Sequence, residues 1–128
     1  MKIDIKTKNI TLSPPVESFV IEKIESLEKF IKVLYSQEYS SPSSGKTKVS
    51  PEAWVEIGKE TMHHRKGPFF RAECQLEVFG KIIRAEALSK DLRLAINEVK
   101  DELQRKLKKE KGKMISNRRR QNSLKKII

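Results

Sequence analysis

The sequence predicts an α+β fold, a two-layer sandwich in which a four-stranded sheet carries two helices on one face, in the order β-α-β-β-β-α. Four segments alternate apolar and polar residues, a period of two that is typical of strands with one buried face. Two other segments space apolar residues by three and four, as amphipathic helices do. The length of 128 residues fits one domain with a real core.

The first strand and the first helix are predicted from the N-terminal third of the chain. Ile3 and Ile5 alternate with polar neighbours, which indicates a strand over residues 2–8. Ser13 is the expected helix N-cap, and Pro14 suits the first helical position, where no amide donor is required. The helix should extend to about residue 33, with an apolar stripe formed by Val16, Val20, Ile24, Leu27, Ile31 and Leu34. Phe19 and Phe30 widen that stripe.

Three further strands and a second helix follow. Residues 53–59 and 70–78 alternate, a tight turn is expected at Gly80–Lys81, and residues 83–87 continue as the partner strand. We expect the whole sheet to be antiparallel, with one face buried and one exposed to water. Ser89 is the expected cap of the second helix. The apolar stripe of that helix comprises Leu92, Ala95, Ile96, Val99, Leu103 and Leu107.

The domain is expected to cover residues 1–111. Within it, the Ser-rich stretch 36–51 contains Pro and Gly and almost nothing apolar, which predicts a flexible loop. Beyond this domain the apolar period fades, and residues 112–128 are predicted to form a basic tail, either a frayed helix end or a disordered segment.

The charge favours a polyanionic partner. The chain has 28 Lys and Arg residues against 17 Asp and Glu, a formal charge of +11, which suits nucleic acid or an anionic membrane surface. A general role in solubility is the alternative. However, twelve of the basic residues and only three acidic ones lie from Lys100 onward, and a solubility device would be more dispersed. No stretch has the roughly 20 apolar residues of a membrane span. Of the two polyanions we expect nucleic acid, and no membrane partner.

Two basic stripes are the candidate binding surface. They lie beside the apolar faces of the helices, and if the helices are neighbours the stripes form one surface that grips phosphates without reading sequence. The alternative is two ordinary solvated faces with internal ion pairs, such as Glu25 with Lys29. The stripes comprise Lys23, Lys29 and Lys32 on the first helix and Arg93, Lys100 and Lys108 on the second.

Catalytic chemistry is not indicated. Cys74 lies on the apolar side of its strand, so it is expected in the core, and His63 and His64 fall in a basic loop. We expect no enzyme, no catalytic residue, no cofactor, no metal site and no small-molecule substrate, with a small ribonuclease as the alternative. The single cysteine fits a reducing, cytoplasmic location. Aromatic residues expected on the outer sheet face, for base stacking or for packing on each other, are Trp54, Phe69 and Phe79.

Two motifs resemble a known family. The first is Ile5-x-x-Lys8-Asn9-Ile10-x-Leu12-Ser13, leading to Ile24-x-x-Leu27-Glu28-Lys29-Phe30. The second is Ala85-x-Ala87-x-Ser89-Lys90-Asp91-Leu92-x-x-Ala95-Ile96-Asn97, followed by Leu103-x-Arg105-x-Leu107-Lys108-Lys109. Over residues 1–113 the chain resembles the ribosome hibernation-promoting factors, which include the ribosome-associated inhibitor or subunit-interface proteins. It departs from them in Leu92-Arg93, where Met-Tyr is common, and in a longer loop before the second strand.

The resemblance implies a function. Such a protein binds the small ribosomal subunit and its rRNA in the mRNA and tRNA channel, inhibits translation, and preserves idle ribosomes under stress or in stationary phase. Without a C-terminal dimerisation domain it would be a monomer off the ribosome. A general structured-RNA-binding protein or RNA chaperone is the alternative. The RNA contacts implied by position, with Arg93 in place of a Tyr, are Lys23, Lys29, Lys32, Lys90, Arg93, Lys100, Arg105, Lys108 and Lys109.

Overall fold

A four-stranded sheet and three helical segments make up the computed structural model. It describes residues 1–39, 50–61, 68–78 and 80–127, and side chains within 1–34, 50–60, 68–78 and 80–113. The elements are β1 Lys2–Lys8, α1 Pro14–Glu25, α2 Glu28–Tyr39, β2 Glu52–Thr61, β3 Pro68–Val78, β4 Lys81–Ser89 and α3 Leu92–Ile127. The predicted α+β fold and the order of its strands are confirmed, with the first helical region divided in two.

The sheet has the strand order β1-β2-β3-β4 and is mixed. The β2–β3 and β3–β4 pairs are antiparallel, as predicted, but β1 pairs with β2 in parallel, so the prediction of a wholly antiparallel sheet is wrong. The reason is the connection. The chain leaves β1 through a helical crossover, which returns it to the same end of the sheet, and the next strand then runs in the same direction.

The first helical region is interrupted where one continuous helix is predicted. Between α1 and α2 the amide of Leu27 donates to the carbonyl of Ile24 at 3.1 Å, three residues back instead of four. The Ser26 hydroxyl donates to the carbonyl of Lys23. Such a side-chain bond to the preceding turn competes with regular helix geometry, and it accounts for the break. The helix continues as α2 to Tyr39, so the predicted loop starts later than residue 36, and residues 40–49 of it lie outside the described ranges.

The caps agree with the sequence at one helix and differ at the other. Ser13 is the N-cap of α1, with Pro14 at the first position, as predicted. At α3 the cap is Asp91 and not Ser89. The amide of Arg93 donates to Asp91 Oδ1 at 3.0 Å, while Ser89 Oγ accepts from the amide of Asp91 at 3.1 Å. Ser89 thus ends β4, and the Asp91 carboxylate satisfies an otherwise free amide of the first helical turn.

The core lies between the helices and the inner face of the sheet. On β3 and β4, which α3 contacts, small residues such as Ala72, Ala85 and Ala87 leave room for the helix to approach. The predicted stripes are buried against this face, apart from Val16 and Leu92, which are half-buried. Their buried members are Val20, Ile24, Leu27, Ile31 and Leu34 on α1, α2 and the turn between them, and Ala95, Ile96, Val99, Leu103 and Leu107 on α3.

The last helix continues well beyond the core. Among the α3 side chains that are described, those of residues 92–113, Leu107 is the last in the core cluster. The helix itself runs to Ile127, where the sequence predicts a frayed helix end or a disordered tail. After Leu92 the helix contains no Pro, and its many Lys, Arg and Gln residues are good helix formers, which favours continuation through Gly112. Despite its length α3 is rich in charge, and none of the helices in the described ranges has an apolar stretch able to cross a membrane.

Candidate nucleic-acid interface

Basic residues from two helices meet at the ring of Phe19, where α1 lies beside α3. Lys23 Nζ lies 5.4 Å from the centroid of this ring, and the guanidinium carbon of Arg93 lies 5.4 Å from the same centroid. Both distances are within the range of cation–π attraction. Since Lys23 belongs to α1 and Arg93 to the first turn of α3, the ring brings two separate basic stripes together.

A second meeting point lies at the ring of Phe30, where α2 lies beside α3. Lys29 Nζ is 5.2 Å and Lys108 Nζ is 5.5 Å from the ring centroid. Along α3, the step from Arg93 to Lys108 is fifteen residues, which corresponds to about 22 Å of helix. We call these two groups the Phe19 cluster (Phe19, Lys23 and Arg93) and the Phe30 cluster (Phe30, Lys29 and Lys108). Together they mark one edge of the helical layer, along which α1 and α2 lie beside α3.

The four cations of the two clusters are not neutralised by nearby carboxylates. Within the described part of the chain, none of them has a carboxylate oxygen within 4.0 Å, and the ion pair considered between Glu25 and Lys29 is not formed. Clustered charges of one sign without counter-charges create a positive potential that attracts phosphate. The helices therefore carry one basic surface, and the alternative of internally paired faces does not describe these four residues.

Other predicted contacts lie near the clusters on the same helices. Lys100 is half-buried on α3, about two turns from both Arg93 and Lys108, and its ammonium lies 3.5 Å from the Asp101 carboxylate. Arg105 is highly exposed and pairs with Glu102 at 3.8 Å. Lys32 on α2 and Lys109 on α3 are exposed. The structure thus gives these residues access to a partner, with Lys100 and Arg105 partly compensated.

Lys90 is the predicted contact that lies outside the helices, between β4 and α3. Its ammonium is 5.8 Å from the centroid of Phe69, at the start of β3. By register Phe69 belongs to the outer sheet face, as predicted, but it is only 6% exposed, so it offers no free surface for base stacking. Trp54 is 36% exposed on the same face, which agrees with the prediction, and Phe79 lies outside the described residues.

Sequence reasoning missed the part played by Phe19 and Phe30. It assigned both rings to the edge of the apolar stripe, and they do pack against the core while remaining half-buried. The spacing of Phe19 and Lys23, four residues apart on one helix, could have indicated their contact. The contacts to Arg93 and Lys108 come from a helix far away in sequence, and no local pattern predicts them.

The outer face of the sheet has a different electrostatic character. Arg71 Nε donates to Glu86 Oε1 at 2.9 Å, and Arg84 lies 2.8 Å from Glu73. The hydrogen bond from Arg71 lowers the pKa of Glu86. An open cleft of about 470 Å³ lies on this face beside Gly58, and charged groups of both signs line it. Such a mixed lining does not make a phosphate site.

The residues considered for catalysis form no reactive centre in the described chain. Cys74 is fully buried, as predicted, and burial with a smaller contribution from Glu73 raises the pKa of its thiol to about 12. The thiol is therefore protonated at neutral pH and is a poor nucleophile. His63 and His64 lie outside the described residues. Across the ranges that are described, His, Cys, Asp and Glu side chains form no group of three or more able to hold a metal ion.

Solved structures with a similar fold include the following two. The first is the N-terminal domain of Protein Y from Thermus thermophilus, with 20% identity, a TM-score of 0.62, and coverage of 85% of this chain and 98% of that one. The second is a ribosomal subunit interface protein from Coxiella burnetii, with 15% identity, a TM-score of 0.60, and coverage of 88% and 99%. At these identities the likeness concerns the fold alone.

The family of the chain follows from its sequence. No curated protein sequence matches it. The model of one family, described as "Sigma 54 modulation protein / S30EA ribosomal protein", matches residues 3–115, which include both helix motifs and both clusters. The resemblance to the hibernation-promoting factors is thereby confirmed, and the chain belongs to the sigma 54 modulation protein / S30EA ribosomal protein family.

Proposed function

We propose that this protein is a ribosome hibernation factor that binds rRNA in the mRNA and tRNA channel of the small ribosomal subunit. The observation that carries the proposal is the edge formed by the Phe19 and Phe30 clusters, where cations from different helices lie together without acidic partners. The family description names a ribosomal protein, and one structural relative is named a ribosomal subunit interface protein. Both support the ribosome as the target.

The proposed mechanism is competitive and non-enzymatic. Lysine and arginine side chains on the helices neutralise rRNA phosphates and release condensed counterions, which supplies affinity without sequence readout. The bound domain then occupies space that mRNA and tRNA need, so translation stops and the idle ribosome is preserved. We propose that the protein acts in the cytoplasm and is a monomer off the ribosome. The proposed contacts are Lys23, Lys29, Lys32, Lys90, Arg93, Lys100, Arg105, Lys108 and Lys109.

Sedimentation with separated ribosomal subunits tests this proposal. The wild-type protein should bind small subunits saturably at physiological salt, and tRNA should displace it. The variant K29E/K108E should lose binding, because it reverses one cation of the Phe30 cluster from each helix. The control K2E/K6E makes the same change in net charge on exposed lysines of β1, outside the helix surface, and should bind as the wild type does.

Two outcomes would contradict the proposal. Equal affinity for large subunits, small subunits and unrelated RNA duplex would identify a general structured-RNA-binding protein. Equal loss of binding in both charge-reversal variants would show that only net charge matters and that the helix surface has no special role. In either case the proposed inhibition of translation, measured in a cell-free system, should also be absent or unselective.

A further inference from the structure

We propose that Phe19 and Phe30 are positioning residues, and that each ring holds two cations from different helices as one site for a phosphodiester group. The proposal deepens the proposed function and rests on it, since it specifies how the basic surface is organised toward RNA. It predicts two discrete phosphate sites along the helix edge instead of a diffuse basic field. It also assigns an RNA-binding role to two apolar residues that make no charged contact with RNA themselves.

Each ring is fixed in place before any partner binds. Phe19 and Phe30 are half-buried and pack against the core cluster, so one part of each ring is held by the protein interior. The exposed part contacts both ammonium or guanidinium groups of its cluster. The core therefore sets the position of the ring. The ring in turn restricts where the charged ends of the Lys and Arg side chains can lie.

The rings keep like charges close together. In the Phe19 cluster both charged groups lie 5.4 Å from one centroid, so their separation cannot exceed twice that distance. Like charges within this limit repel each other, and no carboxylate of the described residues lies within 4.0 Å of either cation to offset the repulsion. The negative face of an aromatic ring attracts both. A phosphate that enters between the cations removes the remaining repulsion, so binding is favoured at that point.

Positioning also reduces the entropy that binding must overcome. Free Lys and Arg side chains lose much rotamer freedom when they are ordered on a partner. A side chain that already lies over a ring has lost part of that freedom before RNA arrives, and such preorganisation raises affinity. Removal of the ring should therefore weaken binding even though every positive charge remains.

The distance between the two clusters sets the minimum length of an RNA that can bind both of them. Arg93 and Lys108 are about 22 Å apart along α3, so one mononucleotide cannot reach both sites. An RNA segment that spans both sites gains the second contact at high effective concentration. Mononucleotides should therefore compete weakly with RNA, and fragments long enough to reach both clusters should compete strongly.

Phe-to-Leu and Phe-to-Tyr variants provide the test. Leu retains apolar packing without a π-face, while Tyr retains the face. Binding of labelled rRNA fragments and of small subunits is measured by fluorescence anisotropy across a salt series, with melting temperatures recorded in parallel. F19L/F30L should bind about tenfold more weakly with an unchanged salt slope, because net charge is unchanged. F19Y/F30Y should bind within about twofold of the wild type, since it keeps both cation–π contacts.

A packing control separates positioning from stability. Leu12 packs against the same core but belongs to neither cluster, so L12A should lower the melting temperature without lowering affinity. The proposal is overturned if F19L/F30L binds as the wild type does, if the Tyr variant is as weak as the Leu variant, or if L12A weakens binding equally. Failure of the wild type to prefer small subunits would instead refute the proposed function, and the Leu–Tyr comparison on rRNA fragments would still test the rings.

Discussion

The helix surface and the outer sheet face use the same basic residue types in opposite ways. On the sheet, Arg71 lies within 4.0 Å of three carboxylates, those of Glu60, Glu73 and Glu86. On the helices, the guanidinium of Arg93 lies over an aromatic ring and forms no ion pair with a carboxylate of the described residues. The guanidinium group is the same in both places. On the sheet its charge is neutralised by carboxylates of the protein, whereas on the helices it is left for a partner to neutralise.

This difference shows that the number of positive charges does not identify a binding surface. The outer face carries Lys2, Lys6, Lys8, Arg71 and Arg84, but also seven acidic residues. Its acidic side chains are Asp4, Glu52, Glu56, Glu60, Glu73, Glu77 and Glu86. A phosphate that approaches this face meets charges already neutralised or outnumbered, whereas the helix surface presents cations that remain available. The four predictions that follow test this contrast.

The largest effect is expected from detaching α3, since the helix surface exists only while α3 is docked. Leu103 is fully buried in the core, and the substitution Leu103→Ala should lower the free energy of unfolding by about 2–5 kcal/mol. Urea denaturation measures this change. The control Leu94→Ala alters an exposed residue of the same helix and should change stability by less than about 0.5 kcal/mol. Similar values for both variants would show that α3 is not held by its apolar stripe.

Neutralising the two clusters should reveal how many phosphates they contact. The variant K23Q/K29Q/R93Q/K108Q should reduce the dependence of log affinity on log salt concentration by about 1.5, since each cluster is one phosphate site and each lost phosphate contact contributes roughly 0.7–0.9. The control K2Q/K6Q/K8Q/K59Q removes four exposed charges from β1 and β2 and should leave the slope nearly unchanged. Equal slopes in the two variants would place the phosphate contacts elsewhere.

A smaller effect is expected from shortening α3 after Lys113. This truncation removes Arg118, Arg119, Arg120, Lys125 and Lys126, and it keeps every core residue among the side chains that the structure describes. We expect an unchanged melting temperature and RNA affinity lower by about threefold to tenfold, because a flanking basic segment adds sequence-independent attraction. A marked fall in melting temperature would show that the C-terminal part of α3 supports the fold. Calorimetry and anisotropy distinguish the two results.

The smallest effect concerns acid stability of the outer sheet face. The pKa of Glu86 lies below its ordinary value of 4.5 because Arg71 donates a hydrogen bond to it. Folding therefore favours the ionised carboxylate, and this contribution is present above the unfolded pKa and disappears as pH falls through the folded pKa. The wild type should melt slightly above E86Q at pH 7, and the difference should shrink as the pH is lowered below the ordinary carboxyl pKa of 4.5. A difference that stays constant with pH would exclude this ion pair as its source.

The strands and the faces of the helices could be predicted from the sequence, because burial of one face imposes a period on the residues. Residues 2–8 were assigned to a strand with the bounds that β1 has, and the alternation from Phe70 to Val78 assigned Cys74 to the core. The parallel pairing of β1 with β2 and the break at Ser26 and Leu27 could not be predicted in this way. They depend on how the crossover packs and on a local side-chain bond, and neither leaves a periodic pattern.

The candidate site was predicted in part. The basic stripes were found because charge and helical spacing are visible in the sequence, and the structure brings Lys23 close to Arg93 and Lys29 close to Lys108. The rings between them were assigned only to packing, since a half-buried Phe at the edge of a stripe has no distinguishing pattern. The ribosomal contacts themselves stay a prediction, because they depend on a partner surface.

Because Cys74 is buried, its reaction with a thiol reagent can be used to measure how often the core opens. It is the only cysteine in the chain, it is fully buried on β3, and its thiol has a pKa of about 12. A thiol-specific reagent can modify it only when the sheet and α3 separate, so the rate of labelling measures how often that occurs. A second cysteine placed on the exposed helix surface would react at once, which allows a dye to be attached there without removal of the native thiol.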